Sequence, residues 1–376
     1  MLKSVRSTRI ILPLVIGIGV VAFLFYRQFD AQQWAEIEWT TATLFWVGVS
    51  LTLLIVRHLA YATRLYVLSE RDFSFRKCIE LIFIWEFSSA VSPTSVGGSA
   101  VALFVLSQEK LSAARTATLV IYTVVLDTAF FVVTLPTLYL LLGPEMIRPG
   151  AESLSELSGW GLTFLFAYGA MCTYGLLLFW GLFISPGRIA QLLRAVGRIK
   201  WLRRIRDTVT RMADDVVVAS GQMRKQPLSW HLSAFAATSV AWSFRFLLLS
   251  ALFIGFTEVG TDWFTQTMLY ARLESMFVII AFSPTPGGAG FVESLFKDFM
   301  TDFVDGNVMS ALVIATIWRL FTYYAYLFAG VIVIPNWLQG VIARRKARAA
   351  QREAEAVQQQ ATQVPSRHAD TARSLP

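Results

Sequence analysis

Charge is scarce in this chain. Asp, Glu, Lys and Arg make up 15% of its 376 residues, hydrophobic residues make up 55%, and the mean hydropathy is +0.56. Those values exclude an ordinary soluble domain and indicate several membrane spans. Cysteine is scarcer still. Cys78 and Cys172 fall in or beside apolar runs, with no metal-ligand spacing and no disulfide framework, and read as small packing residues. Histidine occurs at positions 58, 231 and 368 only, in no recognisable triad or metal motif. An intramembrane hydrolase or transferase needs a nucleophile, a base and an orienting group, so the expectation is no enzyme, no metal and no cofactor. A transferase working through Asp or Glu is the rival from that class. The net charge of +8 suggests nucleic acid, but the basic residues lie in loops between apolar runs without a zinc or helix-turn-helix pattern. Nucleic acid is therefore not an expected partner.

What is present is organised around residues 283–294, Ser-Pro-Thr-Pro-Gly-Gly-Ala-Gly-Phe-Val-Glu-Ser, between the apolar runs 264–282 and 288–300. Two prolines and three glycines make a continuous helix improbable there. Backbone freed from helical bonding is tolerated at membrane depth only inside protein or beside a wet cavity. A related break, Ser92-Pro93-Thr94-Ser95-Val96-Gly97-Gly98, lies 191 residues earlier. Paired breaks in corresponding places of two halves point to a transporter's binding site. The plainer alternative is a tight loop between two short helices.

Apolar runs at 10–26, 41–68, 115–142, 160–184, 230–256 and 308–335 are each long enough to cross ~30 Å of hydrocarbon. The first follows Lys3, Arg6 and Arg9, without a small-x-small cleavage site, and reads as a retained span. Segments 78–91 and 99–106 flank the first break and are too short to cross; 264–282 and 288–300 flank the second. Each pair reads as a re-entrant hairpin. With both termini cytoplasmic, the inside segments hold 25 basic residues and the outside loops three, as the positive-inside rule requires. The expected fold is an all-α polytopic membrane protein, six full transmembrane helices plus two re-entrant helical hairpins in an inverted-topology repeat. Half one covers 10–142 and half two 160–335. The basic amphipathic segment 185–227 lies on the inner leaflet, and the Gln- and Ala-rich tail 341–376 is expected to be disordered beyond a short helix. The whole transmembrane domain is 1–340, in the cytoplasmic (inner) membrane.

Charges inside spans are expensive and face the bundle interior. Arg57 and Arg64 share one helix face, although Arg64 lies near enough to the span's end to reach headgroups. Arg57, Arg245, Arg272 and Arg319 are candidate anion ligands, because a guanidinium stays charged when buried and presents a fork to phosphate oxygens. Pro284, Pro286, Gly287, Gly288 and Gly290 supply the break, and the half-helix after it turns its positive end toward the midplane. Glu86, Asp127, Glu274 and Glu293 are candidates for balancing charge or binding a coupling proton. The alternative makes these residues internal ion pairs, Arg272 with Glu274 and Asp127 with Arg319.

The motif at 284–293, Pro-Thr-Pro-Gly-Gly-Ala-Gly-Phe-Val-Glu, and Arg319 within Trp-Arg-Leu-Phe-Thr-Tyr-Tyr at 318–324 resemble the transmembrane, flippase-like domain of lysylphosphatidylglycerol synthases. The resemblance covers residues 10–335. Two-domain members follow this region with a soluble domain that transfers an aminoacyl group to lipid. Only about 40 residues follow the last span here, too few for such a domain. The resemblance therefore implies a stand-alone lipid translocase whose partners are membrane lipids with anionic headgroups and, by association, lipid- or envelope-synthesis enzymes. Alternatives are an inverted-repeat carrier of a small solute or ion, and a non-transporting regulator of lipid or envelope synthesis.

Overall fold

The computed structural model describes residues 31–363 apart from 36, 38, 92–101, 104, 110, 158, 198–213, 215–216, 219, 284–290 and 305–307. The main helices are α1 (Thr41–Leu68), α2 (Phe75–Val91), α3 (Ala113–Leu142), α4 (Trp160–Phe179), α5 (Pro186–Gly197), α6 (Leu228–Phe256), α7 (Trp263–Ile280), α8 (Phe291–Met300), α9 (Val308–Arg319) and α10 (Ala325–Gln363). Strands are absent among the described residues.

Local chemistry sets the helix ends. Thr40 caps α1 by accepting the Thr43 N–H at 3.1 Å, and Ser112 caps α3 by accepting the Arg115 N–H at 3.2 Å. Asp262 caps α7 from the exposed loop before it; the Thr265 N–H holds its carboxyl below the usual aspartate value. Two helices loosen into one π-helical turn, Trp180–Ile184 after α4 and Leu320–Tyr324 after α9. Such turns concentrate at functional sites.

Among the described residues, five helical stretches are long and apolar enough to cross a membrane: Thr41–Leu68, Arg115–Leu142, Trp160–Ile184, Leu228–Phe256 and Met309–Arg344. The expected span 10–26 lies outside the described residues, as do the two breaks, 92–101 and 284–290. The arm before the first break is longer than the expected 78–91, beginning at Phe75. The helix α2 has 17 residues, α7 has 18 and α8 has 10, and α7 packs on α8.

The central relationship is between α1 and α6. Trp46 and the Thr43 carbonyl lie beside Gly255, Ser50 donates to the Leu248 carbonyl at 3.0 Å, and Trp230 donates to the Val67 carbonyl at 2.9 Å. The start of each helix therefore meets the end of the other, an antiparallel pair packed along its full length. Gly255 makes the approach possible: a Cβ there would stand 2.9 Å from the Trp46 Cβ. One end of the bundle is filled by an aromatic and aliphatic core that includes Phe253, Phe296, Phe299 and Met146. At that end Arg272 ties two connections together. It donates to Asp302 at 2.8 Å and to Glu145 at 3.1 Å, after α8 and α3 respectively. At the other end Arg115, at the start of α3, grips Asp72 at 2.6 Å and Glu70 at 3.0 Å in the α1–α2 turn.

The chain divides into two units, Met1–Gly330 and Val331–Pro376. Within the second, α10 continues through Pro335 and a basic run, Arg344 to Arg352, to Gln363.

Candidate functional site

A cavity of about 690 Å³ opens between the helices of the first unit. Its walls come from both halves of the sequence. The last turns of α1 supply Tyr61 and Arg64; α2 supplies Trp85 and Glu86; the middle of α3 supplies Thr123, Asp127 and Thr128. From the second half come Trp242 and Arg245 of α6, Phe277 of α7, Arg319 of α9, and Thr322 and Tyr323 of the π-helical turn. That turn places Arg319, Thr322 and Tyr323 on one wall together. The cavity wall shares Phe131, Trp242 and Trp318 with the hydrophobic core, and its positions on α3 and α6 lie near the middles of those helices.

Its rim is apolar. Tyr174 of α4 and Phe282 after α7 both line the cavity and are 49% and 51% exposed. The helix α4 also exposes Phe166, Leu176 and Leu177, side chains suited to lipid.

The interior charges are mostly spent on one another. Arg57 is fully buried, donates to Glu86 at 2.8 Å and to the Tyr326 hydroxyl at 3.2 Å, and lies behind the wall that Glu86 forms. Tyr326 in turn donates to His58 Nδ1 at 3.2 Å, while His58 Nε2 donates to the Ile79 carbonyl at 3.3 Å. Arg64 bonds Asp127 at 2.5 Å, and Trp242 donates to the same carboxylate oxygen at 2.9 Å. Arg64 is thus turned into the bundle; the alternative of a headgroup anchor does not describe it.

Arg245 differs. Its guanidinium stands 5.1 Å from the Trp242 ring centre and 4.5 Å from that of Phe277, and no carboxylate among the described residues pairs with it. Two aromatic faces hold a cation against the cavity without neutralising it. Arg319, which also lines the cavity, lies 4.4 Å from the Tyr323 ring centre.

Of the predicted residues, the fold therefore brings Arg245, Arg319, Glu86 and Asp127 to one cavity, with Arg57 directly behind. Arg272 is elsewhere, buried between Glu145 and Asp302. Glu274 is buried beside Thr134 of α3 and does not line the cavity. The alternative pairings, Arg272 with Glu274 and Asp127 with Arg319, are not those observed. Pro284, Pro286, Gly287, Gly288, Gly290 and the Glu293 side chain lie outside the described residues.

Sequence reasoning missed the aromatic partners. Tyr61 sits four residues after Arg57 and three before Arg64, with both guanidiniums within 5.1 Å of its ring centre. Trp242 precedes Arg245 by three, and Tyr323 follows Arg319 by four. Each is one helical turn away, and that spacing was the available signal.

Comparison with known proteins places this geometry in a family. The family model for the lysylphosphatidylglycerol synthase TM region matches residues 10–330. The chain is also similar to a UPF0104 membrane protein of Archaeoglobus fulgidus, 25% identical over 331 residues, covering 85% of this chain and 94% of the relative. No solved structure matches it significantly. The chain is an integral membrane protein and belongs to the family of the lysylphosphatidylglycerol synthase transmembrane region.

Proposed function

We propose that this protein moves an anionic lipid or a lipid-linked anionic headgroup between the leaflets of the cytoplasmic membrane, without bond-making chemistry of its own. The observation that carries the reading is Arg245, an arginine facing an intramembrane cavity with aromatic faces beside it and no carboxylate partner among the described residues. A cation in hydrocarbon is costly, and an anion that arrives to pair with it recovers part of that cost. The rim supports a lipid over a small solute. A headgroup beside Arg245 would leave its acyl chains to pass Tyr174 and Phe282 into the surrounding lipid. The distribution of basic residues supports cytoplasmic termini.

The test is leaflet exchange. Purified protein is placed in liposomes carrying a fluorescent anionic phospholipid, and a quencher is added outside. Wild type accelerates exchange. Arg245→Ala slows it by about 10- to 100-fold, the value of a charge-assisted hydrogen bond, and Arg245→Lys restores part of the rate because it keeps the charge without the fork. Exchange equal to that of empty liposomes across a panel of anionic lipids overturns the reading in favour of a small-solute carrier or a regulator.

A further inference from the structure

Glu274 is the buried acid that the cavity does not use. It sits midway along α7, has no exposed surface, and has one carboxyl oxygen, Oε2, without a hydrogen-bond partner among the described residues. Its other oxygen contacts the Thr134 hydroxyl of α3. Among the described residues, the groups around it include several polar ones and no paired cation. Tyr168 approaches from α4 with Cys172 against its hydroxyl, Tyr270 lies one turn back on α7 with its hydroxyl donated to Ser243 of α6, and Thr134 closes the α3 side. Arg272, two residues away, is engaged by Glu145 and Asp302.

The Thr134 hydroxyl carries a constraint. It has one hydrogen, and it lies within bonding distance of two acceptors, the Phe130 carbonyl at 2.8 Å and Glu274 Oε1. The carbonyl can only accept. With a hydrogen on the Glu274 carboxyl each contact has a hydrogen of its own; with the carboxylate ionised, the single Thr134 hydrogen is shared between two acceptors and each bond is weaker. The cost of an unpaired carboxylate in a dry interior points the same way.

We propose that Glu274 is a proton-binding site, protonated in this conformation and ionised in another, exchanging one proton in each transport cycle. Release breaks the carboxyl O–H bond, leaves its electron pair on the carboxylate and passes the proton to water admitted by movement of α7. Phe277, one turn on from Glu274, is the residue whose ring backs Arg245 in the cavity. A movement of α7 that wets Glu274 therefore also changes how Arg245 is presented. This inference rests on the transport reading above.

Two measurements test it. Infrared difference spectra of the purified protein in vesicles, taken across a pH step, contain the carbonyl band of a protonated carboxylic acid, and Glu274→Gln removes that band. In proteoliposomes with an imposed gradient of one pH unit, a one-proton cycle biases the steady-state leaflet distribution of the anionic lipid about tenfold, and Glu274→Gln removes the bias. A band unchanged in Glu274→Gln overturns the proposal, whatever the transport result. Wild-type exchange that ignores the gradient overturns proton coupling and leaves lipid translocation standing. No exchange under any condition overturns the transport reading, and the coupling with it.

Discussion

Arg64 and Asp127 meet at 2.5 Å on the cavity wall, joining the last third of α1 to the middle of α3. The arginine side chain is 7% exposed and the carboxylate 27%, so the pair is partly solvated from the cavity and well shielded on the protein side. Trp242 donates to the same carboxylate oxygen, which fixes the third helix, α6.

A double-mutant cycle tests this pair. Arg64→Ala and Asp127→Ala, alone and together, are compared by unfolding in detergent. A coupling of about 0.5–3 kcal/mol is expected for residues in direct contact, at the lower end because water in the cavity screens the carboxylate. Strict additivity would mean that the two charges act separately.

The Arg272 fork behaves differently, because its cation is buried and its two carboxylates are about half exposed. Glu145→Gln or Asp302→Asn alone leaves one partner in place and is mild. The double variant strands a buried guanidinium, and its cost approaches the ~3–5 kcal/mol of a broken buried pair. More-than-additive loss in thermal unfolding is the expected outcome; two equal, additive losses reject the shared grip.

Gly175 marks where α4 presses on α3. A Cβ there would lie 2.3 Å from Thr128 Cγ2 and 2.6 Å from Thr128 Cβ. Gly175→Ala should cost about 1–3 kcal/mol, as overpacked sites do. Adding Thr128→Ala removes the nearer atom but keeps the Cβ, so the double variant recovers only part of the loss. Full recovery would place the strain elsewhere.

Much of this was legible in the sequence, and the limits have physical causes. Length and hydropathy located the five spans seen among the described residues. Cost placed Arg57 and Arg245 in the interior, since a charge inside an apolar run has few other places to go. Pairing was not legible. Arg64 finds Asp127 from another helix 63 residues away, and no local rule names such a partner. The place of Arg272 became readable only once the structure put Phe277 at the cavity. Five positions separate it from Phe277, about 140° around a helix and ~7.5 Å along it, so both cannot serve one wall. The helical spacing of Tyr61, Trp242 and Tyr323 to their arginines was readable in the sequence, and it identifies which cations the fold shelters with rings.

The antiparallel packing of α1 and α6 bears on topology. The two helices occupy corresponding places in the two halves, and Trp230 at the start of one bonds Val67 at the end of the other. Equivalent helices that run in opposite directions are what an inverted repeat requires. The consequence extends to the segments on either side of the breaks: Ser107, after the first, and Thr301, after the second, should face opposite sides of the membrane. Cys78 and Cys172 are replaced by alanine, and single cysteines at 107 and 301 are labelled with a membrane-impermeant maleimide in intact cells and in inverted vesicles. Position 301 should react in intact cells and position 107 in inverted vesicles. Labelling of both from the same side would rule out the inverted repeat, because one hairpin would then have to cross the membrane and carry a long basic segment to the outside.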